Sequence, residues 1–302
     1  MTVPVHERFI TTSGGGLRHD ILPMRLYHKA KRLGVWDPRG IDFSQDMRDW
    51  QDFTDQERES ILSLTALFQS GEEGVTLDLL PLILTMAREQ RLEEEMFLTT
   101  FLWEEAKHTE FFRRFLDEVA HETGDLARYH TASYRTLFYE ELPKAMNALL
   151  TDHSPEAQVR ASVTYNMIVE GVLAETGYYS YYNMLERNNV LPGLRQGIGL
   201  LKRDESRHIA YGVYLISRLV AQQPELWEIV EKEMNRLLVY ALGVVSEPYQ
   251  DPSGEAPAEQ TDYQFAMQET LDYAVSQFTK RMNRIERART QTLEQIYQEE
   301  ED

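Results

Sequence analysis

Two tetrapeptides, Glu105-Ala-Lys-His108 and Glu205-Ser-Arg-His208, set the tightest constraint on this 302-residue chain. A glutamate three positions ahead of a histidine lies about 60° from it on a helix, so the two side chains can grip one metal ion. Eight histidines in so glutamate-rich a chain give roughly one such pair by accident. Glu118-Val-Ala-His121 reads as that accident, because it lies about 220° round the helix from Glu105. His121 is expected instead at a helix end, where a cation favours the C-terminal dipole. Repetition lifts the other two pairs above chance: Glu72 precedes Glu105 by 33 residues, and Glu170 precedes Glu205 by 35. The chain thus reads Glu…GluxxHis twice, the pattern by which four helices of a bundle turn carboxylates and imidazoles inward onto two metal ions. Glu73 competes with Glu72 for the first position, and the helical face favours Glu72.

The rest of the sequence supplies helices to carry these residues. After an irregular start containing "SGGG" at 13–16, a helix is expected from Thr54, where Thr54 and Glu57 form a capping box, to a break around Pro81. Further helices cover about 90–121, 131–150 and, capped by Ser154 with Pro155 in its first turn, 154–191. The fifth holds 193–219 and the sixth follows Pro224. A polar loop at 246–262 leads to a last helix and an acidic tail. Strand-like alternation is scarce, so the expectation is all-α: one domain over 1–302, its bundle core at about 54–247 and its C-terminal helix and tail at about 262–302.

Composition narrows the chemistry. The chain has no cysteine, which excludes disulfides, thiolate metal sites and cysteine nucleophiles and fits a reducing compartment. Any metal must sit on oxygen and nitrogen. A formal charge of −19 argues against nucleic acid or an anionic membrane as partner. No apolar run suggests a membrane span, and "MTVPVHERFI" lacks the layout of a secretory signal, so a cytoplasmic protein is expected. Four carboxylates and two neutral imidazoles carry a charge that two divalent ions cancel, which lets such a site be buried. Hard oxygen donors with two imidazoles suit iron and manganese. Of the other charges beside Glu205 and His208, Lys202, Arg203 and Arg207 are expected on a solvated face.

The motifs "VWDPRGIDFSQD" at 35–46, "LLPLI" at 79–83, "WEEAKH" at 103–108 and "RDESRH" at 203–208 occur together and in order. Over residues 25–220 the chain resembles the ribonucleotide reductase small-subunit family of the ferritin-like superfamily. The resemblance implies a ferritin-like four-helix bundle with additional helices and a metal set of Glu72, Glu105, His108, Glu170, Glu205 and His208. It makes Asp204 the acceptor for His108 and puts Trp36 at the inner end of an electron-transfer route, although Trp36 also suits a plain core anchor. The radical-forming reductases usually carry a tyrosine four residues after the first motif's histidine, whereas this chain has Phe112, as the manganese/iron reductases do.

"SGEEGVTLD" at 70–78 and "TYNMIVEG" at 164–171 resemble the ligand-binding oxidase branch of that family. The branch implies one manganese and one iron per chain, with a di-iron pair as the variant, a long-chain fatty acid over the metals, and dioxygen activation that joins a tyrosine to a valine in an ether. The matching residues are Tyr165 and Val75. Periodicity would not have chosen Tyr165, five residues before Glu170 and about 140° round an α-helix. Of Tyr178, Tyr179, Tyr181 and Tyr182, Tyr178 is the one expected to hydrogen-bond near the site. Met167 is expected in the core, and Gly171, Ala174 and Gly177 suit close helix packing better than room for an acyl chain. The reading is an oxygen-dependent oxidase and a homodimer. Its alternatives are a manganese/iron reductase radical subunit, for which Tyr297 would be the tail tyrosine, and a metal-storage protein without turnover.

Overall fold

A computed structural model describes residues 9–12, 14–249 and 267–298. Most of the polar loop and the last four residues of the acidic tail lie outside the described residues. The fold is all-α, a ferritin-like bundle with additional helices and no strand among the described residues. Helix α1 covers Leu22–Leu33, α2 Ser44–Asp52, α3 Asp55–Asp78, α4 Leu80–Arg88 and α5 Leu92–Phe115. Three short helices follow, α6 at Ala132–Tyr134, α7 at Leu142–Ala148 and α8 at Pro155–Ser162. Then come α9 at Glu175–Asn188, α10 at Pro192–Gln222, α11 at Leu226–Ser246, α12 at Met267–Glu286 and α13 at Leu293–Gln298. Segments Leu116–Ala120, Arg135–Glu141 and Val163–Ala174 wind as π-helix, and the last joins α8 to α9 as one long rod.

The expected local signals operate. Thr54 Oγ1 accepts from the Glu57 amide at 3.3 Å while Glu57 Oε2 accepts from the Thr54 amide at 2.7 Å, which fixes the start of α3. Ser154 Oγ caps α8 through the Ala157 amide at 3.2 Å. Pro81 enters the first turn of α4, so the chain breaks at Leu79 between α3 and α4. His121 closes its helix in a left-handed conformation, with Nδ1 3.0 Å from the Asp117 carbonyl oxygen.

The chain before Thr54 departs from expectation: it is not irregular but holds α1 and α2. Helix α1 begins at Ile21, which offers no side-chain cap, and buries Leu22, Leu26 and Ala30 against α5 and α10. Pro23 in its first turn is its local start signal, and without a side-chain cap it owes its stability to tertiary packing. Helix α2 is short and polar, and its buried Asp46 and Trp50 face inward. Asp46 accepts from the Gly193 and Leu194 amides at 2.8 and 2.7 Å, which caps α10 from outside that helix.

The four bundle rods are α3, α5, the rod from α8 to α9, and α10. Two apolar clusters fill the space around them. One includes Val75, Leu79, Phe97, Phe101, Tyr165 and Leu215. The other includes Phe43, Trp50, Phe68, Phe112, Tyr178 and Tyr181. Residues of both clusters adjoin the six polar side chains named by the sequence.

Candidate metal centre

Each bundle rod delivers what its spacing requires. Helix α3 brings Glu72, α5 brings Glu105 and His108, the π segment brings Glu170, and α10 brings Glu205 and His208; all six are buried. Glu73, the competitor of Glu72, is exposed. Ligand atoms of Glu72, Glu105, His108 and Glu205 lie within 4.8 Å of one another, as do those of Glu105, Glu170, Glu205 and His208. Glu105 and Glu205 belong to both groups, so the arrangement is two adjoining nests with two shared carboxylates.

The donors fit metal ions better than they fit each other. His208 Nδ1 lies 3.0 Å from Glu105 and 3.5 Å from Glu205, and His108 Nδ1 lies 3.4 Å from both Glu72 and Glu205. Both Nδ1 atoms nevertheless lack a hydrogen-bond partner, as do Glu105 Oε1 and Oε2, Glu170 Oε1 and Glu205 Oε2. Buried polar atoms are normally paired, and six convergent orphans are what a pair of cations would satisfy. The acid–base balance agrees. Burial pushes Glu72 up to about 8 despite His108, and burial with the Glu205 charge pushes Glu170 well above the carboxylate range. For Glu105 burial acts upward too, but the two imidazoles outweigh it and hold the group at about 2. So many carboxylates ionise together only beside compensating positive charge.

A second layer orients the imidazoles. His108 Nε2 is 3.4 Å from Asp204 Oδ2, and His208 Nε2 is 2.9 Å from Glu104 Oε2. Each acid sits one residue ahead of a motif glutamate and serves the histidine of the other motif. Arg207 donates to both, at 2.6 Å to Glu104 and 2.6 Å to Asp204, and Lys107 donates to Asp204 at 3.0 Å. These two acids and two bases cancel, so the inner nests see little net charge from them. Sequence reasoning found Asp204 but missed Glu104, Lys107 and Arg207. The signal was present, because both motifs read acid-Glu-x-base-His. Arg207 corrects the expectation of a solvated face: it is 2% exposed, whereas Lys202 and Arg203 are exposed. Gly34, at the end of α1, leaves room for Glu104, whose Oε1 would collide with a Cβ there.

The remaining candidates take these places. Trp36 is half-buried; its Nε1 donates to Asp204 at 2.7 Å, and its ring lies parallel to His108 with centroids 6.2 Å apart. It belongs to neither nest. Tyr178 donates to Glu72 Oε1 at 3.2 Å. Tyr165, fully buried, donates to the Val75 carbonyl oxygen at 3.0 Å. The angular argument against Tyr165 assumed an α-helix. In a π-helix the hydrogen bond runs from i to i+5, so a residue five positions on returns to about the same face, and Tyr165 and Glu170 share it. Phe112 stacks on Phe68 at 5.2 Å, and Phe101 lies flat on His208 at 3.6 Å. Met167 is core, and Gly171 packs against Arg281. Ala174 and Gly177, by contrast, line a cavity, although Gly177 also meets Phe68 closely. Tyr297 packs toward Tyr214, ring centroids 6.3 Å apart.

That cavity has a volume of about 540 Å³ and reaches the nests at Glu72, Glu105, Glu170 and Glu205. Phe68, Val75, Val169 and Leu173 give it apolar walls, while Gln56, Glu59 and Ser60 lie at its polar end. No helix among the described residues is long and apolar enough to cross a membrane.

Comparison with known proteins agrees with this geometry. The model of the family "Ribonucleotide reductase, small chain" matches residues 24–247, beyond the 25–220 that the motifs cover. An R2-like ligand-binding oxidase variant, solved with an anaerobically reconstituted Mn/Fe cofactor, is 40% identical; the match covers 93% of this chain and 98% of that one, with a TM-score of 0.85. Another variant, aerobically reconstituted with Mn/Fe, is 40% identical over 92% of this chain and 99% of that one, with a TM-score of 0.87. Given a match across most of the chain, this protein belongs to the ribonucleotide reductase small-chain family, beside its R2-like ligand-binding oxidases.

Proposed function

We propose that this protein is a dioxygen-activating manganese/iron oxidase that binds a long-chain fatty acid and joins its own Tyr165 and Val75 in an ether. One contact carries the reading: the Tyr165 phenol rests 3.0 Å from the Val75 carbonyl oxygen, one helical turn from Glu72. The solved relatives with Mn/Fe include variants altered at one tyrosine or one valine, the residue types that meet here.

Glu72, Glu105, His108, Glu170, Glu205 and His208 would hold the ions, and the same donors would also accept a di-iron pair. When bound, the pair supplies electrons and the Lewis acidity through which dioxygen becomes a strong oxidant. The chain's own residues decide where that oxidation falls. Burial, and then the surrounding glutamates, keep the Tyr165 phenol protonated well above its usual range. Phe101 packs edge-on against Tyr165 at 5.9 Å and covers His208, which excludes water from this side. Ether formation breaks the Tyr165 O–H and the tertiary Val75 Cβ–H bonds and makes one C–O bond. Two electrons and two protons leave the protein for dioxygen. Asp204 holds His108 in orientation, and Trp36 gives electrons a path from the surface through its contacts with Asp204 and His108.

The cavity suits an acyl chain, whose removal from water gains about 0.8 kcal/mol per CH₂ along the apolar walls. Its carboxylate head would lie where the cavity reaches Glu72, Glu105, Glu170 and Glu205, and bound metal ions would supply the positive charge that offsets it. Organic extraction of the purified protein should release long-chain acids in near-stoichiometric amount. The absence of cysteine and the charge of −19 accord with a single-domain cytoplasmic protein, and a homodimer completes the proposal.

Trypsin gives the decisive test, because it releases Glu59–Arg88 with Val75 and Ala161–Arg187 with Tyr165. After anaerobic manganese and iron loading and then exposure to air, mass spectrometry should find the two peptides joined and lighter than their sum by two hydrogens. Protein kept metal-free and Tyr165→Phe should lack the link. Separate, unmodified peptides from fully loaded, air-exposed protein would reject the cross-linking oxidase and favour a reductase radical subunit.

A further inference from the structure

The cavity beside the metal nests is not apolar throughout. From Glu72 it follows α3 back to Ser60 and Glu59, and from Glu170 it follows the neighbouring rod forward to Ser180 and Met184. The Thr65 and Tyr181 hydroxyls are hydrogen-bonded between these two helices, so both walls run away from the nests together. Ser60 precedes Glu72 by 12 residues on one helix, which puts the far end roughly 18 Å from the nests.

Three hydroxyls along these walls have already spent their hydrogens. Ser60 Oγ donates to the Gln56 carbonyl oxygen at 2.9 Å, Thr176 Oγ1 to that of Val172 at 2.6 Å and Ser180 Oγ to that of Thr176 at 3.0 Å. A hydroxyl has one hydrogen and two lone pairs, so each of them can only accept from a ligand. Thr270, 3% exposed, also lines the cavity, and its Oγ1 has no hydrogen-bond partner. It stands one helical turn before Tyr273, whose ring stacks at 4.2 Å on Tyr179, the neighbour of Ser180. Burial raises the Tyr249 pKa and Thr270 partly offsets that rise, so this lining phenol lies close to Thr270 without bonding to it. No lysine, arginine or histidine is among the described lining residues, and Glu59 and Glu247 add negative charge away from the nests.

We infer that the ligand of this cavity is a long-chain fatty acid bearing a hydroxyl at its far end. The inference rests on the acyl-chain reading above and narrows it to one class of acid. A methyl end would leave the buried Thr270 hydroxyl unanswered, which is costly. A second carboxylate or a phosphate would bring only acceptors and negative charge to a wall that offers the same. A hydroxyl gives its hydrogen to Ser180 or Thr270 and can accept one from Tyr249. An extended chain advances about 1.2 Å per bond, as an extended backbone does, so an acid of about 16 carbons spans the distance.

Delipidated, metal-loaded full-length protein should bind 16-hydroxyhexadecanoic acid about fivefold more tightly than hexadecanoic acid, measured by displacement of radiolabelled hexadecanoic acid. Hexadecanedioic acid should bind more weakly than either. Thr270→Val removes no existing hydrogen bond and should bring the hydroxy acid and the plain acid to the same affinity. Ser180→Ala should narrow the difference between them, and it decides the matter if Thr270→Val fails to fold by circular dichroism. Equal affinities in the unaltered protein, or a preference that survives both variants, would overturn the hydroxyl. So would a diacid that binds as tightly as the hydroxy acid, because the far end would then meet only water. Failure of all three acids to bind would overturn the acyl-chain reading and this inference with it, whereas hexadecanoic acid that binds without a preference for the hydroxyl overturns this inference alone.

Discussion

Glu104 and Asp204 occupy equivalent positions and do equivalent things, each orienting the histidine of the opposite motif. Outer partners of this kind fix ring orientation and raise ligand basicity. Glu104→Gln and Asp204→Asn should each lower metal affinity about 10- to 100-fold, measured by competition with a chelator, with the fold intact by circular dichroism. Glu73→Gln, on the exposed side of α3, should change nothing. Asp78 poses a different electrostatic problem at the last residue of α3. Burial pushes its carboxyl up to about 6, and a negative charge there also opposes the C-terminal end of the helix dipole. The folded state thus holds this proton more tightly than the unfolded chain does. That contribution is fully present below about pH 4 and is lost as pH rises through about 6. Since Asp78 is partly exposed and solvent screens it, the cost above that range is about 1 kcal/mol. Asp78→Asn should accordingly raise Tm by about 2–4 °C at pH 7.5 and leave it unchanged near pH 4. An equal gain at both pH values would refute the linkage.

Helix α2 acts as a cap for α10. Leu191 at the α10 N-cap has no side chain to offer, so Asp46 satisfies the Gly193 and Leu194 amides and Asp49 accepts from the Leu191 amide at 2.8 Å. Removing a buried charged acceptor leaves two buried amides unpaired, at a cost of about 2–3 kcal/mol. Asp46→Ala should therefore lower the denaturant midpoint with an unchanged m-value, while the exposed Asp52→Ala should not. The π segment has a comparable effect on the site. Its wider turn brings Tyr165 and Asn166 toward Glu170, whose Oε2 accepts from Asn166 Nδ2 at 2.9 Å.

On the scale of the whole molecule, six candidate ligand residues that lie up to 136 positions apart in sequence are held by four rods between two apolar clusters. Metal binding and folding must then be coupled, because ions that bind only the folded arrangement stabilise it by mass action. Metal removal with a chelator should lower Tm by several degrees, read by calorimetry. Readdition of manganese and iron should restore it, and an unchanged Tm would contradict a buried centre.

The sequence by itself determined the helical class, the caps at Thr54 and Ser154 and the six convergent side chains. Period, capping chemistry and repeated spacing are local properties, legible along one chain. The family resemblance further singled out Asp204, Trp36, Tyr165 and Val75. Tertiary structure alone decided the rest. Helix α1 has Pro23 in its first turn but no side-chain cap, and it is held because α5 and α10 cover its apolar stripe. Arg207 is buried because Glu104 and Asp204, on different helices, meet around it. Tyr165 faces the site through a π turn that an α-helical wheel misplaces, and the cavity exists only where several helices fail to close on one another. Burial, hydrogen-bond partnership and empty volume are relations between segments, and only the folded chain specifies them.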